Sequence, residues 1–475
     1  MTQPRRIPIG GDQTTTAEST PVTSPYDGSV LAQVPKCGPA EVDRAVDAAR
    51  DALAAGPLPP WQRAEILERA ARLLSERTED FAHTIAAEAA KPLKTARIEA
   101  ARAVSTFTYA AIEARTLTGD FVPIDGGDAA GDGKLAFTLR VPVGVVGAIS
   151  PFNFPLNLVA HKVAPAIAAG CPVVLKPATQ TPLSALALAE LLLGECGLPD
   201  GHLNVVTGEG KEVGSSLVDH ADVAMISFTG SPEVGWGIRQ QAPRKKVGLE
   251  LGNNAPVIVE PDGDWQTAAD KISVHGYSHA GQSCISTQRV YVHESIADDF
   301  LGVLVPKVEA LKLGDPLQED TDVSSPISAG DRDRIASWVE EARASGARVL
   351  TGGDVDGPFV RPAVLADVKP DMKVCALEVF GPVVAVQTYT DVDEALRLSN
   401  DTRYGLQAAI FTQNLTTALR AVRTLDFGGV LVNEVPTWRA DQMPYGGLRD
   451  SGNTREGPLY AVREMTEERL VILQA

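Results

Sequence analysis

The sequence predicts an α/β protein: a doubly wound parallel-sheet domain, a second α/β domain and a small β extension. Three observations carry this. From Gly144 onward, short β-branched runs ("GVVGAIS", "CPVVLK", "LNVVTG", "DVAMISF", "KKVGLE") alternate with helical patterns such as "PLNLVAHKVAPAIAAG" and "SPEVGWGIRQQ". Continuous apolar strands separated by helices make a parallel sheet covered on both faces. The alternation resumes beyond Leu251, in "RVYVHES", "IADDFLGVLVPKVEAL" and "PVVAVQTYTDVDEALRLSN". Between the opening helices and the first sheet, "DFVPIDGGDAAGDGKLAFTLRVPVG" reads as two strand-like runs about a Gly-Asp turn, which is the signature of a protruding hairpin.

In chain order, the start "MTQPRRIPIGGDQTTTAEST" holds an Arg5-Arg6 pair with no apolar run behind it, so it reads as a mature N-terminus. From about Ala40 to Ala111, apolar residues recur at three- and four-residue spacing, predicting amphipathic, Ala-rich helices that pack closely. The first domain is expected over 1–121 and 141–250, the second over 251–448, and the extension over 122–140 and 449–475. The chain closes on a strand-like "ERLVILQA", which is free to join a neighbour's sheet.

At 475 residues the chain is long enough for two or three domains, and 44% apolar with 22% charged residues is ordinary globular composition. Its apolar stretches are cut by charges such as Lys162 and Glu190, so none is expected to span a bilayer. A net charge of −18 argues against a nucleic-acid surface, which needs a basic stripe to displace counterions. Five scattered cysteines, Cys37, Cys171, Cys196, Cys284 and Cys375, lack disulfide spacing and point to a reducing compartment, the cytoplasm. With the seven histidines they form no ligand cluster, so no metal is expected.

Chemistry concentrates in a few short stretches. In "AGQSCISTQR", Cys284 stands among small and polar residues that let the backbone turn tightly and leave the sulfur within reach of a small molecule. "GLELGNNAP" puts Glu250 at a strand end, and a thioester needs such a carboxylate to activate the water that hydrolyses it. "ISPFNFPLN" puts Asn153 at another strand end, as a donor to a developing oxyanion. "TGEGKEVG" looks like a dinucleotide fingerprint, but Gly208, Gly210 and Gly214 miss its spacing. His161, within a helical pattern, reads best as a packed histidine.

Seven blocks, "PVGVVGAISPFNFPLNL", "LKPATQTPLSA", "SFTGSPEVG", "LELGNNAP", "GQSCISTQR", "EVFGPV" and "PYGGLRDSGNTREGP", resemble the aldehyde dehydrogenase superfamily in order and spacing, over nearly the whole chain. The resemblance implies Cys284 as nucleophile, Glu250 as general base and Asn153 as oxyanion donor. It implies NAD or NADP, held by Ser150, Pro151, Phe152, Lys176, Thr179, Gly230, Ser231, Glu378 and Phe380, with the pyrophosphate at a helix N-terminus. It also implies a homodimer or homotetramer, assembled through 122–140 and 449–475. Asn253 and Leu377 depart from the commonest family pattern. Thr179 stands where many NAD-preferring members carry Glu, which removes a repulsion against a 2′-phosphate and offers a hydroxyl to donate to it. The rivals are a CoA-acylating relative, which Glu250 counts against, and a non-catalytic relative, which would be expected to lack Cys284 or Glu250. The blocks around Cys284 and "NEVPTWRADQMPYGG" resemble the branch that handles small hydroxylated or anionic aldehydes such as lactaldehyde, glyceraldehyde phosphate, phosphonoacetaldehyde or succinate semialdehyde. Arg289, Arg439 and Arg102 are the candidate anion ligands.

Overall fold

Strands rich in Val, Ile and Leu build the centre of the first domain in a computed structural model that describes residues 5–474. Residues 1–4 of the expected first domain and Ala475 of the extension lie outside the described residues. "VVGAI" at Val145–Ile149 and "VVLK" at Val173–Lys176 are buried at every position, as two-sided cover by helices requires. The five strands are all parallel, in the order Lys246–Glu250, Val223–Thr229, Val145–Ile149, Val173–Lys176, Leu203–Val205. The chain runs outward from Val145–Ile149 to Leu203–Val205, then returns to pair Val223–Thr229 on the other side. Such a reversal opens a crevice at the carboxyl ends of the strands, where α/β sheets bind ligands. Residues 150–153, Lys176, 230–231 and Glu250 all sit at those ends.

The helical region resolves into Pro39–Ala54, Pro60–Glu76, Thr78–Ala89 and Leu93–Thr116. Ala96, Ala100, Ala103, Ala110 and Ala111 of the last are buried, which lets it lie close on its neighbours. Ahead of these helices come two hairpins, Ile7–Ile9 with Asp12–Thr14 and Ser19–Thr23 with Val30–Pro35, that the sequence reading did not anticipate.

The second domain is a seven-stranded sheet, parallel except for its first pair, in the order Arg348–Thr351, Ala363–Ala366, Val383–Tyr389, Arg289–His293, Pro256–Val259, Gln407–Phe411, Gly429–Val432. The expected hairpin is present as Phe121–Val122 against Lys134–Pro142. The C-terminal strand Thr466–Gln474 pairs with Lys134–Pro142 of its own chain. A nine-residue antiparallel register leaves only its outer edge open. Residues 449–465 do not extend this sheet: the helix Pro458–Glu464 packs on the helices Asn157–Ala169 and Leu93–Thr116 instead. Among the described residues no helix is long and apolar enough to cross a membrane.

Candidate active site

Cys284 lies in the loop ahead of the strand Arg289–His293, and the loop is bent by three successive left-handed residues, His279, Ala280 and Gly281 (φ +52°, +53° and +69°). Gly281 is required here, since a Cβ would stand 2.0 Å from the Gly381 carbonyl oxygen. Non-glycine residues in this region cost energy that the surroundings must offset, and such strain clusters where a side chain has to be aimed. The sulfur is partly exposed and opens on a narrow cavity of about 30 Å³, room for roughly two waters.

Glu250 lines the same cavity from the other domain, together with Arg102, Phe154, Asn157, Arg439, Tyr445 and Glu456. Among the described residues, neither of its carboxyl oxygens has a hydrogen-bond partner. Burial, then the neighbouring Glu456, pushes its pKa well above the carboxylate range, while Glu456 is held low, against its own burial, by Arg439, His161 and Lys162. Of two carboxyls sharing one buried environment, the surroundings favour the charged form of Glu456 and disfavour that of Glu250. Asn153 is buried, and its amide donates to the Gln282 carbonyl (2.9 Å), two residues before Cys284. An amide nitrogen carries two hydrogens, so one remains for an oxyanion.

The predicted arginines separate. Arg439 donates to Glu456 (2.7 Å), lies 3.1 Å from His161 Nε2 and stacks over Tyr445 (3.8 Å to the ring centre), and its buried Nε has no partner. Arg102, which also lines the cavity, donates to Asp441 (2.9 Å). Arg289 is outside the cavity: it is 3% exposed, and its guanidinium donates to the carbonyls of Asn254, Leu398 and Ser399. Two of these are orphan carbonyls at the end of the helix Val392–Asn400, which a cation satisfies well. Arg289 is therefore structural.

Sequence reasoning did not single out Tyr445, Asp441, Glu456, Asn157 or Lys162. His161 is packed, as expected, but it also touches the site network, 3.1 Å from Asp441. The available signal was the four-residue spacing of Asn157 and His161 on one helix and the close pair Arg439 and Asp441.

A cleft of about 820 Å³ runs along the carboxyl ends of the first sheet, lined by Lys176, Gly214, Glu233, Val234, Gly237 and Ile238 among others. That is a size suited to a nucleotide. Lys176 is buried there with only the Pro177 carbonyl as partner (3.2 Å), and burial lowers its pKa to about 8. The Ser150 hydroxyl is buried and unpartnered. Ser231 caps the helix Pro232–Gln241 beside the cleft, and Gly230 N–H is tied to the Glu250 carbonyl (3.1 Å). Glu378 accepts from the Asn253 N–H (2.9 Å), with burial lifting its pKa to about 8, and Phe152 meets Phe380 edge to face. The Thr179 hydroxyl donates to the Gly208 carbonyl (3.0 Å), a bond it would give up to donate to a 2′-phosphate.

The aldehyde dehydrogenase family profile matches residues 12–471. The chain belongs to this family. It is 46% identical over 465 residues to a 3-sulfolactaldehyde dehydrogenase of Priestia megaterium, covering 98% of this chain and 97% of the relative. It superposes with a TM-score of 0.95 on aldehyde dehydrogenase 21 of Physcomitrella patens in complex with succinate, at 39% identity and over 100% and 99% of the two chains. The glyceraldehyde-3-phosphate dehydrogenase GapN of Methanocaldococcus jannaschii, complexed with NADP, gives 0.92 at 38% identity, over 97% and 100%. This aldehyde dehydrogenase oxidises a small aldehyde to the carboxylic acid with NAD or NADP and is of the non-CoA-acylating kind.

Proposed function

We propose that the substrate is a small anionic aldehyde, oxidised at Cys284 with Asn153 as oxyanion donor and Glu250 as general base. The single observation that carries the substrate class is Arg439: a guanidinium with an unpartnered buried Nε lines the same narrow cavity as the nucleophile. A buried donor left unpaired is costly unless a ligand satisfies it. Arg102 supplies a second cation lining the same cavity. The names of the relatives, sulfolactaldehyde and glyceraldehyde-3-phosphate dehydrogenases, fit a short chain carrying a strong anion.

In this mechanism the Cys284 thiolate adds to the aldehyde carbon, while an Asn153 amide hydrogen and the Cys284 backbone N–H hold the oxyanion. Lys176, Ser231 and Glu378 would hold NAD(P)+, which when bound would supply the acceptor for the hydride that leaves the thiohemiacetal carbon as its oxyanion closes to the thioester carbonyl. The thioester left on Cys284 persists until Glu250, ionised, takes a proton from water. Hydroxide then adds to the acyl carbon and the Cys284 thiolate leaves. The enzyme acts in the cytoplasm, without nucleic acid as partner.

On a panel of short aldehydes, anionic ones should exceed uncharged ones of equal length in kcat/KM by about 10- to 100-fold, the worth of hydrogen bonds to a charged group. Long-chain or aromatic aldehydes outperforming them would overturn the substrate class.

The same proposal includes a homodimer or homotetramer. The three-stranded extension exposes Phe121, Leu135, Leu139, Leu470, Ile472 and Leu473, so both of its faces are apolar. The strand Gly429–Val432 is an open sheet edge beside the helix Leu415–Thr424, which exposes Leu415, Leu419 and Val422. A second copy covers such surfaces and edges, which are liabilities in a monomer. Light scattering at micromolar concentration should give at least twice the 50.2 kDa chain mass, and a monomer would refute it.

A further inference from the structure

The fully buried phenol of Tyr445 is unused by the mechanism above. Its hydroxyl lies 3.0 Å from Cys284 Sγ, the one hydrogen-bond partner it has among the described residues. The residue is only 3% exposed. The ring is fixed from two directions. Its backbone exchanges hydrogen bonds with Glu456 (3.2 and 2.6 Å), and the Arg439 guanidinium lies 3.8 Å over its face, itself anchored to Glu456.

We propose that the Tyr445 hydroxyl is a catalytic hydrogen-bond donor to the Cys284 sulfur, stabilising the thiolate that attacks the aldehyde. The proposal rests on the reading of Cys284 as the nucleophile. A neutral thiol and a phenol can each donate to the other, but a thiolate only accepts, so ionisation leaves the phenol as the donor. The S–H bond breaks, its proton passes to a buffer base at the cavity mouth, and the phenol keeps its own proton and turns it to sulfur. The cation over the ring draws electron density from the oxygen and makes the O–H a stronger donor. Burial pushes the Cys284 thiol up to about 12, and the bond from Tyr445 is the largest influence in the other direction.

The test uses full-length enzyme and follows the pH dependence of iodoacetamide alkylation at Cys284, located by peptide mass. In Tyr445→Phe the alkylation midpoint should rise by about one pH unit or more, and the first-turnover rate at neutral pH should fall about 10- to 100-fold. Cofactor affinity should stay within about twofold, since the phenol does not line the cleft. A superimposable alkylation profile would overturn the proposal. Should Tyr445→Phe lose cofactor binding, fluorotyrosine at position 445 decides: a more acidic phenol moves the midpoint down if the donor role holds and leaves it unmoved otherwise. Cys284→Ala separates the two readings, because inactivation by iodoacetamide that persists there refutes Cys284 as nucleophile and says nothing of the phenol.

Discussion

Cys284→Ala is expected to lower aldehyde oxidation by at least about 10⁴-fold while leaving cofactor affinity within about twofold. Removing a covalent nucleophile typically costs this much or more, because no remaining group forms the bond. The second half of the prediction comes from position: the sulfur faces the cavity of Tyr445 and Glu250 and does not line the cleft of Lys176 and Gly237. The fold should tolerate the change, since the side chain is partly exposed and only the sulfur is removed. Initial rates and fluorescence titration with NADH and NADPH measure both halves. Retained dehydrogenase activity would contradict the covalent account.

Glu250→Gln should leave a first turnover of NAD(P)H at nearly the wild-type rate and then slow steady-state turnover by about 10²- to 10⁴-fold, the usual worth of a general base. The amide matches the carboxyl in shape, and the native oxygens have no partner to lose. The pH dependence gives a second signature. Burial, and the charge of Glu456, raise the Glu250 pKa well above the ordinary carboxylate value, and the base acts only when ionised. Steady-state turnover therefore rises with pH through that raised pKa, and Glu250→Gln abolishes this limb. A variant that retains the limb would assign it to another group.

The sheets were legible because fully buried parallel strands leave continuous β-branched runs, and "VVGAI" and "VVLK" became strands as written. The opening hairpins were not legible, since "IPI" and "DQT" are three residues long and carry no period that separates strand from loop. Cys284, Glu250 and Asn153 were assigned through the family blocks that contain them, since each stretch alone says little, and the fold brings Cys284 and Glu250 to one cavity with Asn153 bonded to the Cys284 loop. Tyr445 and Glu456 come from a loop with no periodic pattern, and their meaning exists only once Glu250 and Cys284 face them across the domains. Arg289 illustrates the converse. A guanidinium five residues after Cys284 looks available in sequence, but it is spent on backbone carbonyls, two of them more than a hundred residues away.

The acyl-enzyme itself tests the account most directly. Glu250→Gln mixed with NAD+ and a short anionic aldehyde, quenched in acid within the first turnover and digested, should show the acyl mass on the peptide that carries Cys284. The amount should match the NADH formed, and wild type should show far less at the same time. NADH formed without an acyl mass on that peptide, or with the mass on Cys37, Cys171, Cys196 or Cys375, would contradict a thioester at Cys284.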